Sequence, residues 1–298
     1  MIMKGIIVKA LSGFYYVAVS GKTYECKARG NFRKSGVSPL VGDRVGIELT
    51  GENCGIVDKV YERKNCLSRP PVANIDKLFI VSSYTSPKVN TLIIDKMTVI
   101  AEHNGIEPII VFNKCDMGSF EKWQRIYKNA GFKTYTVSAE SGEGFGELEA
   151  ELKDSVSAFT GNSGVGKSSI LNRIFGLELI TTGEVSEKLG RGRHTTRHTE
   201  LYELSFGGFV ADTPGFSALE LGDFNYEFKE NLENCFREFD EFKENCKFAS
   251  CTHTREKGCA ILEAVANGKI EETRHSSYLA FFEEMKDLKP WEANKRKK

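Results

Sequence analysis

The residues of this chain best suited to chemistry form one run, Gly161-Asn162-Ser163-Gly164-Val165-Gly166-Lys167-Ser168-Ser169. Their spacing satisfies G-x-x-x-x-G-K-[ST], the phosphate-binding P-loop. The glycines let backbone N–H groups turn inward around phosphate oxygens, where side chains would clash. A helix starting directly behind the loop adds its partial positive charge. In that frame Lys167 reaches the β- and γ-phosphates and Ser168 offers its hydroxyl to Mg²⁺. An apolar stretch at 157–160 can end a strand, and 170–175 supplies the apolar positions of a following helix. That strand–loop–helix context separates a P-loop from a chance Gly-rich turn.

Further motifs make the nucleotide guanine-specific. In Asn113-Lys114-Cys115-Asp116, a carboxylate at a strand end can accept both N–H groups that guanine offers. Adenine does not match that pattern and would leave a buried carboxylate unpaired, which is costly. Lys114 can lay its stem along the base, and Asn113 can tie this loop to the P-loop. Ser138-Ala139 would present backbone N–H to the guanine carbonyl. Asp212-Thr213-Pro214-Gly215 places a carboxylate to hold Mg²⁺ and leaves Gly215 room for an N–H to the γ-phosphate. Each short motif is weak alone, but together, each after an apolar strand, they imply GTP binding. Their order is unusual. N-K-x-D and S-A precede the P-loop, so the domain is circularly permuted, which is tolerable because domain termini commonly lie close together. Switch II at 212–215 then leads directly into the C-terminal region, a plausible transmitter of nucleotide state.

Hydrolysis needs a positioned water. The residue after D-x-x-G is Phe216, which can neither give nor accept a proton. His194, beside Thr195 and Thr196, is the best candidate to orient the water. By its residues alone that ring serves equally as a solvated loop histidine. Thr196 is the first choice for the switch I threonine on Mg²⁺ and Thr195 the second. The polar, Gly-rich passage 181–198 has no clear periodicity, as befits a functional or mobile segment. A second cluster, Cys246-x₄-Cys251-x-His253-x₅-Cys259, supplies three thiolates and one imidazole. Four such ligands suit a closed, structural Zn²⁺ site; free thiols or a disulfide with spare residues are the alternative.

The elements that must position these groups follow from the rest of the 298 residues, enough for two or three domains. The 41 basic and 41 acidic residues cancel, so any nucleic acid must be held by local patches. No apolar run is long enough for a bilayer, and no export sequence is visible at the start. Scattered cysteines fit a reducing cytoplasm. Short strands at 6–10, 15–19, 23–28, 44–49 and 55–61 suggest an OB-like antiparallel barrel. Between Lys22 and Lys34 stand five basic residues, one acidic and Phe32, which could contact RNA or form a solvated hairpin. From 74 onward the rhythm is α/β: strands at 77–82, 107–112 and 133–137, helices at 91–103, 120–130 and 145–153, then a strand pair at 200–206 and 209–211. Such units imply a parallel sheet with ligands at the carboxyl ends of its strands. Residues 225–287 are α-rich. Residues 220–244 hold nine acidic and three basic residues, so Arg255, Lys257, Lys269, Arg274 and the basic tail 295–298 are the better RNA-facing candidates.

On these motifs the chain resembles the RsgA (YjeQ or YloQ) family of circularly permuted bacterial GTPases along nearly its whole length. The resemblance implies a multidomain α/β protein: an OB-like barrel at 1–66, a permuted GTPase domain at 67–220 and a helical zinc-binding domain at 221–298. It also implies GTP hydrolysis stimulated by the small (30S) ribosomal subunit late in that particle's maturation, with rRNA contact. It gives His194 the water-positioning duty and matches the Cys/His zinc pattern. A cytoplasmic monomer with one Zn²⁺ per chain, and Mg²⁺ with GTP, is expected. A GTP-dependent RNA-binding regulator not dedicated to the small subunit is the alternative. A phosphoryl-transfer enzyme would need a second substrate motif, and a membrane GTPase an apolar span or basic amphipathic helix; the sequence displays neither.

Overall fold

A computed structural model describes residues 2–30, 32, 38–68, 71–176, 199–212 and 226–289. Strands β1 (Ile2–Leu11), β2 (Phe14–Val19), β3 (Lys22–Ala28), β4 (Arg44–Leu49) and β5 (Cys54–Val60) come first. They run in the order β1-β2-β3-β5-β4, and β4 pairs back onto β1 from Ile2↔Glu48 to Ile6↔Arg44. The pairing closes a barrel in which β3 and β5 are parallel and the other neighbours antiparallel. This is the OB-like barrel expected from the sequence. Ile7, Val17, Cys26, Val45, Ile47 and Val57 alternate inward and are fully buried. A hairpin of β6 (Cys66–Ser68) and β7 (Pro71–Ala73) follows, bridged to the barrel at Val41↔Val72; the sequence pattern did not reveal it.

The α/β part contains β8 (Lys77–Ser83), β9 (Glu107–Asn113), β10 (Lys133–Val137), β11 (Val156–Thr160), β12 (Glu200–Glu203) and β13 (Phe209–Asp212). Their order is β10-β9-β8-β11-β13-β12, parallel except for the β12–β13 hairpin. Helices α1 (Thr91–His103), α2 (Glu121–Asn129), α3 (Phe145–Leu152) and α4 (Lys167–Ile174) accompany it. Two apolar clusters cover its two faces. Leu78, Ile80, Ile110, Phe112 and Ala158 belong to one, and Phe79, Val81, Ile109, Val111 and Phe159 to the other. That alternation of neighbours explains why these strands read as continuous apolar runs. β12 also pairs with β1 at Lys9↔Glu200, with a 3.2 Å ion pair between those side chains. Barrel and α/β sheet are therefore one continuous eleven-stranded sheet.

The chain continues through α5 (Tyr226–Asn231), 3-10 turns at Leu232–Cys235, Arg237–Phe239 and Lys243–Asn245, α6 (Ala260–Ala266) and α7 (Glu272–Met285). This region is fixed to α1 and its neighbours by two arginines. Arg274 lies 2.7 Å from both Asp95 and Glu238, with Phe236 at 4.7 Å and Phe132 at 5.2 Å from its guanidinium carbon. Arg237 reaches Glu102 at 2.6 Å and Glu107 at 2.8 Å. Arg274 is only 1% exposed, so its expected role as an RNA-facing charge is corrected. Two carboxylates and aromatic rings hold it inside, a setting that charge counting along the chain does not detect. Arg255, Lys257 and Lys269 are exposed. Among the described residues no helix is long and apolar enough to cross a membrane.

Candidate functional site

β8, β9, β10, β11 and β13 run parallel, so the segments that follow them emerge at one edge of the sheet. Asn113 ends β9, Ser138 follows β10, Gly161 follows β11 and Asp212 ends β13. The crevice outside these carboxyl ends is where open α/β sheets take their ligands.

The P-loop wraps from β11 to α4. Val165 is buried against the Phe79 and Val111 face of the sheet and anchors the loop. Gly166 sits at φ +92°, and a Cβ there would lie 2.2 Å from Asn113 Nδ2, so only glycine fits. Asn113 exploits that approach. Its Nδ2 donates to Val165 O at 2.9 Å while its Oδ1 accepts from Ala139 N–H at 3.2 Å. One buried amide thus joins the phosphate loop, the N-K-x-D loop and the S-A loop. Lys114, at φ +68°, donates to the carbonyls of Thr85 and Gly164 at 3.1 and 3.3 Å. Lys167 opens α4 and donates to the carbonyls of Gly161 at 2.5 Å and Asn162 at 2.9 Å. Burial lowers the pKa of its ammonium, and a phosphate at the loop mouth would favour the charged form.

Asp116 and Cys115 lie in the 3-10 turn Cys115–Met117, and Asp116 is exposed. The cost of leaving its carboxylate unpaired therefore arises only when a base covers it. The Ser138 and Ala139 N–H groups are already spent, on Glu143 O at 3.1 Å and on Asn113 Oδ1. Asp212 ends β13, which pairs with β11, the strand that leads into the P-loop. His194, Thr195, Thr196, Thr213, Pro214, Gly215 and Phe216 lie outside the described residues, as do Arg33, Lys34 and the tail 295–298.

The second cluster assembles as a possible metal centre. Cys246, Cys251, His253 and Cys259 bring one ligand atom each to within 4.8 Å of one another. Cys246 Sγ and Cys259 Sγ are 3.9 Å apart, and His253 Nδ1 lies 3.6 and 3.5 Å from them. Tetrahedral Zn²⁺ with bonds of about 2.3 Å to sulfur and about 2.0 Å to nitrogen would space its ligands by about 3.5–3.8 Å. The donor set fits that ion. Burial pushes the Cys251 thiol up to about 12 and raises Cys259 as well; a bound cation would hold as thiolates what burial keeps protonated. His253 turns its other nitrogen to Glu233 at 3.0 Å, the outer carboxylate that fixes a ligating imidazole. No spacing in the sequence pointed to Glu233. α7 closes the loop from outside, with His275 Nε2 2.8 Å from His253 O and Tyr278 donating to Thr252 O at 2.9 Å. Arg173 was also missed; its guanidinium meets the carbonyls of Ala139, Glu140 and Ser141 at 3.1–3.3 Å.

Known proteins resemble this chain along nearly its whole length. The model of the RsgA GTPase family matches residues 60–222, and that of the RsgA N-terminal domain matches residues 4–57. A protein of Caldanaerobacter subterraneus subsp. tengcongensis described as small ribosomal subunit biogenesis GTPase RsgA is 49% identical over 288 residues, covering 96% of each chain. One of the same description from a Geobacillus species is 45% identical over 293 residues, covering 96% of this chain and 99% of its own. The crystal structure of YloQ, a circularly permuted GTPase, superposes with a TM-score of 0.82 at 36% identity, covering 97% of each chain. That of YjeQ from Thermotoga maritima also gives 0.82, at 34% identity, covering 97% of this chain and all of the other. The chain belongs to the RsgA family of circularly permuted GTPases.

Proposed function

We propose that this chain binds the small ribosomal subunit and hydrolyses GTP to GDP and phosphate during that particle's late maturation. The observation that carries it is the gathering of the N-K-x-D, S-A and P-loop segments, and of Asp212 at the end of β13, at one sheet edge. The surrounding chain aligns end to end with relatives whose name states small-subunit biogenesis. Guanine is read by Asp116, with Lys114 along the base and the S-A loop at its carbonyl. Gly161, Asn162, Ser163, Gly164, Val165, Gly166, Lys167, Ser168 and Ser169 cradle the phosphates, with Gly215 near the γ-phosphate. Mg²⁺ would be held by Ser168, Asp212 and Thr196, with Thr195 as the alternative, and would neutralise charge developing on the phosphates. His194 orients the attacking water in the place a phenylalanine at 216 leaves unfilled.

Zn²⁺ on Cys246, Cys251, His253 and Cys259 would have a structural duty, folding a loop that buries few apolar groups. Exposed Arg255, Lys257 and Lys269 on that module, and the basic run on and after β3, are suited to rRNA phosphates. The protein works as a cytoplasmic monomer. Co-sedimentation with purified ribosomal subunits and a non-hydrolysable GTP analogue tests the partner. The protein is expected to pellet with the small subunit and not with the large one. Equal recovery with both, or with unrelated RNA, would favour a general RNA-binding regulator instead.

A further inference from the structure

The turn that follows β10 is closed on itself and held from one side. Gly142 N–H donates to Ser138 O at 2.8 Å, Ser141 N–H to Ser138 Oγ at 3.2 Å and Glu143 N–H to Ser141 Oγ at 3.3 Å. Three further carbonyls, those of Ala139, Glu140 and Ser141, meet the Arg173 guanidinium. Arg173 comes from the last turn of α4, the helix that begins at the P-loop lysine. Its guanidinium carbon lies 5.4 Å from the centre of the Phe145 ring. Gly142, at φ +90°, makes the slot, since a Cβ there would lie 1.9 Å from Arg173 Nη2.

Peptide planarity converts this grip into a direction. In a trans peptide the carbonyl of one residue and the N–H of the next point opposite ways. With Ala139 O fixed on Arg173, the Glu140 N–H is turned away from the guanidinium. Ser138, Ala139, Ser141, Gly142 and Glu143 have all committed their N–H groups within the protein. The Glu140 N–H alone in this turn has no acceptor among the described residues.

We propose that Arg173 is a positioning residue for guanine recognition, fixing the Ala139–Glu140 peptide so that the Glu140 N–H donates to the carbonyl of the base. The inference rests on the guanine-nucleotide assignment above. It links the two ends of α4 functionally: the first residue, Lys167, addresses phosphate, and Arg173 governs the base. A planar fork of donors suits three carbonyls in a way a single ammonium does not.

Isothermal titration of the full chain with GDP, IDP and ADP in Mg²⁺ tests it. GDP and IDP share the base carbonyl, ADP lacks it, and IDP also lacks the exocyclic amine that Asp116 would read. Arg173→Met keeps an unbranched apolar side chain and removes the donors. It is expected to weaken GDP and IDP by the same factor, on the order of tenfold, leave their ratio unchanged and leave ADP binding as in the parent. Arg173→Lys is expected to fall between. Equal weakening of all three nucleotides would mean that Arg173 merely supports the P-loop helix, and unchanged GDP affinity would mean that it positions nothing; either overturns the proposal. A parent protein that does not prefer GDP to ADP would overturn the guanine-nucleotide assignment itself, a separate failure.

Discussion

Asp116 stands exposed in the turn after β9, whose Asn113 and Lys114 join it to the phosphate loop. Asp116→Asn exchanges one guanine acceptor for a donor without touching the core. It is expected to weaken GTP by about 1.5–3 kcal/mol, or about ten- to a hundredfold, with an unchanged thermal midpoint. Unaltered GTP affinity in a titration would refute the base-reading role. His194→Ala is expected to leave GTP affinity nearly intact and to lower small-subunit-stimulated hydrolysis by about 10²–10⁴. Near-normal stimulated turnover of that variant would transfer the catalytic group to the ribosome. At this scale most of the nucleotide site was legible because its chemistry is local. Phosphate loops need glycine and lysine at fixed offsets, and Asn113-Lys114-x-Asp116 is one turn. Arg173 was not legible, because its carbonyl partners lie 32–34 residues away and an arginine in the last turn of a helix ordinarily favours the helix dipole.

Elements carry the next set of constraints. The cysteine spacing announced the metal loop, but what holds that loop in place is α7 on its outside and Glu233 beneath His253. Zinc removal by a chelator, or Cys251→Ser, is expected to unfold residues around the cluster while GDP still binds, because every ligand follows the last nucleotide motif. Hydrogen exchange read by mass spectrometry would localise the loss; elemental assay finding no zinc in protein purified without chelator would refute the ion's identity. Arg274 shows where charge counting fails. Burial pushes the Asp95 carboxyl pKa up, and the Arg274 guanidinium is the main influence holding it down. Arg274→Met would leave Asp95 and Glu238 buried without their cation, at a cost of about 3–5 kcal/mol. Urea denaturation should show that loss, and a change below about 1 kcal/mol would mean the network contributes little. The C-terminal region is therefore keyed to α1.

Across the whole molecule, the eleven strands form one sheet that passes from barrel to nucleotide domain through a single β1–β12 pairing and the Lys9–Glu200 ion pair. Strand periodicity gave both halves, because alternation and apolar runs are local properties. The join was invisible for the opposite reason: its partners are 191 residues apart and its side chains are ordinary surface charges. β12 begins at Glu200 and β13 ends at Asp212, so the hairpin beside the P-loop strand belongs to the same sheet as the barrel. A ribosomal particle touching both flanking modules would bear on the nucleotide edge between them. The most direct measurement is the rate of GTP hydrolysis by the full chain, alone and with purified small ribosomal subunits. The expected free rate is about 10⁻⁴–10⁻² per second, rising at least tenfold with small subunits and unchanged by large ones. A rate that small subunits leave unaltered, or that large subunits raise equally, would contradict the assignment.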